Sequence, residues 1–201
     1  LSGGLEPRLG KAYLRTATIN GFPSATFPGM LEELNTLAFE YRWMTRAIML
    51  DKIDAARILG KIRRQWFAKR KSIAAILKEV MTNEASVLVD TDASNKAADA
   101  DMALQELGAD YAGQAYVTAT ITVWDDDPRI AAEKLRMVEK VIQGRDFTAM
   151  PETINAADAW LGSLPGHVYA NVRQPPISTL NLAHMIPLSA VWAGPERDEH
   201  F

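Results

Sequence analysis

Gln114-Ala-Tyr-Val-Thr-Ala-Thr-Ile-Thr-Val-Trp124 is the stretch that decides the fold. Val, Ile and Thr recur there with a period of two, which fits a pleated strand and no helix. Asp125-Asp126-Asp127-Pro128 closes the strand and opens a helix, because acidic side chains satisfy free amides and proline suits a first helical turn. Ile130, Leu135, Val138 and Ile142 share one side of that helix, which stops near Gly144. Asp146 to Met150 then reads as a short strand before Pro151.

The same order appears earlier in the chain. Tyr13 to Ile19 alternates and is broken by Asn20-Gly21-Phe22-Pro23, a strand followed by a turn. Pro28 with Met30, Leu31, Leu34 and Leu37 predicts a short amphipathic helix, and Tyr41 to Leu50 a second strand. Two strand-helix-strand halves predict an α+β fold, a ferredoxin-like split β-α-β sheet. Between the halves, Leu59, Ile62, Trp66, Ile73, Ile76 and Val80 recur near every 3.5 residues, and Ala97, Ala100, Leu104 and Leu107 give a second stripe. With Thr82 to Asp92 as the bend and Gly108 as the stop, residues 52–108 read as a long helical-hairpin insertion. After Asn155, an N-cap candidate, one short helix carries Ala159, Trp160 and Leu161. Pro165, Pro175, Pro176, Pro187 and Pro195 then exclude long regular elements, and Ser178 is placed to cap a turn toward His184. The expected organisation is a leader over 1–12, an α+β domain over 13–154 and a proline-rich C-terminal strap over 155–201.

The chain has 201 residues, 48% hydrophobic and 23% charged, which is enough for a real core. No run of about 18 apolar residues occurs, and the first residues lack a signal peptide's charged-then-apolar layout. The absence of cysteine excludes disulfides, thiolate metal sites and cysteine nucleophiles. The net charge of −3 conceals an asymmetry: Asp51 to Glu79 holds nine basic and three acidic residues, +6, and the remainder carries −9.

Chemistry-bearing motifs are scarce. A P-loop requires Gly-x-x-x-x-Gly-Lys-Ser/Thr, so that amides wrap the phosphates and a hydroxyl holds magnesium. Gly10-Lys11 is followed by Ala12 and preceded by Leu5 at the first glycine position; Gly60-Lys61 is followed by Ile62 and has Ala55 there. Ser163 lacks the Gly-x-Ser-x-Gly setting of a nucleophile elbow and reads as a helix-ending turn. His167, His184 and His200 share no ligand spacing, and the three aspartates read as a cap. No catalytic, cofactor-binding or metal-ligating residue is assigned. The basic arm Lys61-Ile-Arg-Arg-Gln-Trp-Phe-Ala-Lys-Arg-Lys71 is the one partner signal, suited to an acidic protein face, an anionic lipid surface or a nucleic-acid backbone, against the plain alternative of a solvated helix.

Tyr13-Leu-Arg-Thr, Asn95-Lys-Ala-Ala-Asp-Ala-Asp, Thr118-Ala-Thr-Ile-Thr-Val-Trp and the stretch from Trp160 to Pro195 resemble the CagE/TrbE/VirB family of conjugative type IV secretion ATPases, in its TrbE type. The resemblance runs from about Tyr13 to Pro195. It implies a non-catalytic region N-terminal to the ATPase domain, with ATP and Mg expected in that downstream domain and no cofactor in the present residues. It further implies docking to inner-membrane transfer proteins, self-association of the full-length motor, and a cytoplasmic position on the inner face of the inner membrane. The parent protein would hydrolyse ATP to power DNA or protein transfer and pilus biogenesis. From charge and position, Arg63, Arg64, Trp66, Lys69, Arg70 and Lys71 are the candidate contacts of the arm, and Trp160 and Trp192 the candidate anchors of the strap. The alternative is a nucleic-acid-binding module using the basic arm, although a net acidic chain disfavours direct DNA binding.

Overall fold

The computed structural model describes residues 2–23, 25–80 and 91–189, with 67–80, 91–94 and 97 as backbone only. The elements are β1 (Arg8–Leu9), β2 (Ala12–Gly21), a 3-10 helix (Glu32–Thr36), β3 (Tyr41–Leu50), α1 (Lys52–Val80), α2 (Thr91–Gly108), β4 (Gln114–Asp125), α3 (Pro128–Gln143), β5 (Thr148–Pro151), α4 (Ala156–Gly162), β6 (Pro176–Ser178) and α5 (Thr179–Met185). The sheet runs β5-β2-β4-β3, with β1 paired to the start of β2 and β6 to the start of β4. That is the order of a split β-α-β fold, and the expected α+β class holds.

The chain divides into two compact units. The first comprises residues up to Arg46, Val117–Pro175 and those from Asn181 on. In it β2 pairs antiparallel with β4, setting Leu14 opposite Trp124, Thr16 opposite Thr122, and Thr18 opposite Thr120. Opposite residues share a face, and successive residues alternate. One face therefore presents Ala17, Ile19, Val117, Ala119, Ile121 and Val123, all essentially buried. Against it packs α3 through Ala131, Leu135, Val138 and Ile142. Each large side chain so buried contributes roughly 1.5–3 kcal/mol. The other face presents Thr16, Thr18, Thr118, Thr120 and Thr122, also buried, and is covered by α4 and the loop after it.

The second unit comprises Ala47–Tyr116 and Pro176–Leu180. Here α1 and α2 pack on each other about Ala55, Leu59 and Leu107, flanked by Leu50, Ala103 and Leu104, which makes the helical hairpin of the insertion. The expected bend lies at 81–90, outside the described residues.

Three local expectations are corrected. The helix expected from Pro28 is a 3-10 helix over Glu32–Thr36, with Leu37 already extended at its end. Met30, Leu31 and Leu34 are buried as expected, but the three-residue step from Leu31 to Leu34 matches the tighter helix, and Gly29 sits at φ +73°, outside helical backbone. α3 ends at Gln143 with Gly144 as its C-cap, as expected, and Asp146, at φ 60°, makes the reversal that follows. The following strand accordingly starts at Thr148 instead of Asp146. Asn155 occupies the N-cap of α4 without a side-chain capping bond.

Candidate interaction surfaces

The arm begins with a well-capped helix. Asp51 Oδ1 accepts from Asp54 N at 2.7 Å, and Lys52 Nζ pairs with Asp110 at 2.6 Å. Arg63 Nε lies 2.7 Å from Asp101 Oδ1, and Lys96 Nζ sits 4.6 Å from the centre of the Trp66 ring. Two of the proposed contact residues, Arg63 and Trp66, are therefore engaged within the hairpin. Asp99, Asp101 and Glu106 make the described part of α2 acidic, so it offsets part of the positive charge of α1. Arg63 and Asp101 are both substantially solvated, so their pair contributes at most about 1 kcal/mol. Arg64 is exposed. The side chains of Lys69, Arg70 and Lys71 lie outside the described residues. Ile53, Met102 and Tyr111 are exposed apolar side chains of this unit.

In the first unit, α4 and the loop to Pro175 are held by polar groups that come from the sheet. Arg46 donates to the carbonyls of Gly162 at 2.8 Å, Ala170 at 3.2 Å and His167. The Thr118 hydroxyl lies against Asn171 Oδ1 and 2.6 Å from the Arg173 carbonyl. Arg173 forks onto Glu152, Nε to Oε1 at 2.7 Å and Nη2 to Oε2 at 3.2 Å, with the Glu152 side chain only 1% exposed. Gly162 is required where the loop returns, since a Cβ there would collide with the Ala170 carbonyl. The loop so fixed presents Val168 (68% exposed) and Tyr169 (92% exposed), the latter edge-on to His167. Beside them lies a groove of about 460 Å³ lined by Asn155, Asp158, Leu161, His167, Tyr169 and Asn171. Trp160 is half-buried in α4, and its carbonyl accepts from the Ser163 hydroxyl at 2.6 Å, so Ser163 closes a turn as expected. Trp192 lies outside the described residues.

Several other polar side chains have structural partners. Asp127 caps α3 through the Arg129 amide at 2.7 Å. Asp125 accepts from Asp127 N at 3.0 Å and Lys134 Nζ at 2.8 Å, and the hydrogen bond from Lys134 holds its carboxyl below the usual carboxylate range. His184 Nδ1 is 2.8 Å from the Thr26 hydroxyl. Glu32 Oε1 accepts from both Leu188 N and Ser189 N at 2.6 Å, and the backbone bond from Ser189 is the main cause of its lowered pKa. Sequence reasoning missed Arg46, Glu32 and the Glu152–Arg173 pair. Their roles depend on long-range neighbours that carry no local signature.

Among the described residues, no helix is long and apolar enough to cross a membrane. Residues 6–173 match the CagE, TrbE, VirB family, described as a component of type IV transporter system. The chain is 35% identical over 194 residues to a probable conjugal transfer protein TrbE of Sinorhizobium fredii (strain NBRC 101917 / NGR234), covering 96% of this chain and 29% of that protein. It is equally 35% identical over 194 residues to the conjugal transfer protein TrbE of Rhizobium radiobacter, covering 96% of this chain and 23% of that one. The chain thus spans about a quarter of the length of these relatives. With the match running through both halves of the sheet and the hairpin between them, the chain belongs to the CagE, TrbE, VirB family.

Proposed function

We propose that this chain is a non-catalytic docking region of a conjugative type IV secretion motor, and that ATP and Mg are bound and turned over in a different region of the parent protein. The observation that carries this reading is the family match over residues 6–173 in a sequence whose two Gly-Lys pairs both lack the remaining P-loop residues. The region docks on transfer proteins at the inner face of the inner membrane and on neighbouring motor subunits. The arm, with Arg64, Lys69, Arg70 and Lys71, and the strap around Trp160 and Trp192 are the contact surfaces. The acidic character of α2 supports a protein partner over a nucleic-acid backbone, because a phosphate-binding arm gains nothing from carboxylates beside it.

The test is charge reversal in the full-length parent, Arg64, Arg70 and Lys71 each to Glu, with Arg63 left in place on Asp101. Loss of recruitment to the inner membrane and of motor assembly, with ATP turnover retained, is the expected result. Unchanged assembly and recruitment would remove the arm from the interface. A steeply salt-dependent affinity of this chain for duplex DNA would favour the nucleic-acid reading instead.

A further inference from the structure

The cover on the threonine face is built unlike the cover on the apolar face. Thr18 Oγ1 and Thr120 Oγ1, opposite each other across β2 and β4, are buried and make no hydrogen bond. The space beside Thr120, bounded by Met44, Thr118, Ala159, Gly162 and Val172, has no room for a water molecule to satisfy it. Buried hydroxyls left without partners destabilise the closed arrangement and recover hydrogen bonds once water reaches them. The buried positions of α4 are the small residues Ala156, Ala159 and Gly162, with Trp160 and Leu161 only half-buried. What fastens this layer is polar: Arg46 on three carbonyls, Thr118 on Asn171 and Arg173, and the Glu152–Arg173 fork. Such contacts exchange readily for water, whereas the Leu135, Val138 and Ile142 contacts of α3 do not.

We propose that α4 and the loop following it, residues 156–174, form a cap that undocks from the threonine face as one unit while β2, β4 and α3 remain folded. Arg46 is its latch. Opening turns a covered sheet face into an exposed band of five threonine hydroxyls and frees the loop that carries Val168 and Tyr169. This inference is independent of the docking function proposed above.

Amide hydrogen exchange of this chain across low urea concentrations tests it. The amides of Ala159, Ser163 and Leu164 should exchange together, about 100-fold faster than those of β2 and β4, through an opening with a smaller urea dependence. Arg46→Ala should speed exchange of the cap about 10-fold and that of β2 and β4, which open only with the whole chain, by no more than the same factor, so that the cap still opens first. Thr120→Val, nearly isosteric, removes one unpartnered hydroxyl and should slow cap exchange several-fold; it remains decisive if Arg46→Ala does not fold. A cap that exchanges at the same rate and urea dependence as the sheet would overturn the proposal. So would a Thr120→Val chain whose cap exchanges faster.

Discussion

Beneath α3 the sheet shows Ala17, Ile19, Val117, Ile121 and Val123, and beneath α4 it shows Thr16, Thr18, Thr118, Thr120 and Thr122. The two sets alternate along the same two strands and are about equally buried. What separates them is what burial achieves. On the first face it removes methyl and methylene groups from water, and the helix above contributes a matching stripe. On the second it hides hydroxyls: Thr16 and Thr122 satisfy each other at 2.8 Å, Thr118 bonds the loop, and Thr18 and Thr120 bond nothing. One face holds the fold together, and the other holds a removable layer in place.

The comparison is broken most severely from the apolar side. Ile121→Ala should cost about 3–4 kcal/mol in urea unfolding, because a fully buried Ile lies between strand and helix with little freedom to collapse. On the polar side the largest effect belongs to Glu152→Ala, which strands Arg173. Since the Arg173 side chain is 30% exposed and recovers water, the expected loss is about 2 kcal/mol, below that of a fully enclosed pair. Thr120→Val should instead stabilise the chain, by about 1 kcal/mol, whereas Val123→Thr on the opposite face should destabilise it by a similar or larger amount. Equal responses of the two faces to Val/Thr exchange would dissolve the distinction.

The smallest effect concerns Glu32. Its carboxylate is held below the ordinary value of 4.5 by the backbone amide of Ser189 first and by that of Leu188 as well. A lowered folded pKa means that the contribution is fully present above the unfolded value and is lost as pH falls through the folded one. Thermal stability followed downward from about pH 5 should therefore decline less in Glu32→Gln than in the unsubstituted chain. An identical decline in both would show that the segment at Leu188 and Ser189 is not held by this carboxylate.

Much of this was legible from residue order. The β-branched alternation of β4, the Asp-Pro start of α3 and the two apolar stripes of the insertion each follow from local periodicity, and together they pointed to the split sheet and the hairpin. The first crossover was misjudged because Leu31, Leu34 and Leu37 suit a 3-10 helix as well as an α-helix. Only the left-handed Gly29 and the extended Leu37 separate the two. The clamps of the cap were not legible at all. Arg46 and Gly162 stand 116 residues apart and Thr118 and Arg173 stand 55 apart, and nothing in the sequence near either partner announces the other. For the arm, the sequence displayed its positive charge plainly but not the carboxylate of Asp101 that meets it across the hairpin.

The most direct test of the docking assignment is ATP binding and hydrolysis measured on this chain, beside a full-length family member that contains it. No nucleotide binding and no turnover are expected of the 201 residues, and turnover is expected of the full-length protein. Hydrolysis by the 201-residue chain itself would reveal a nucleotide site and contradict the assignment.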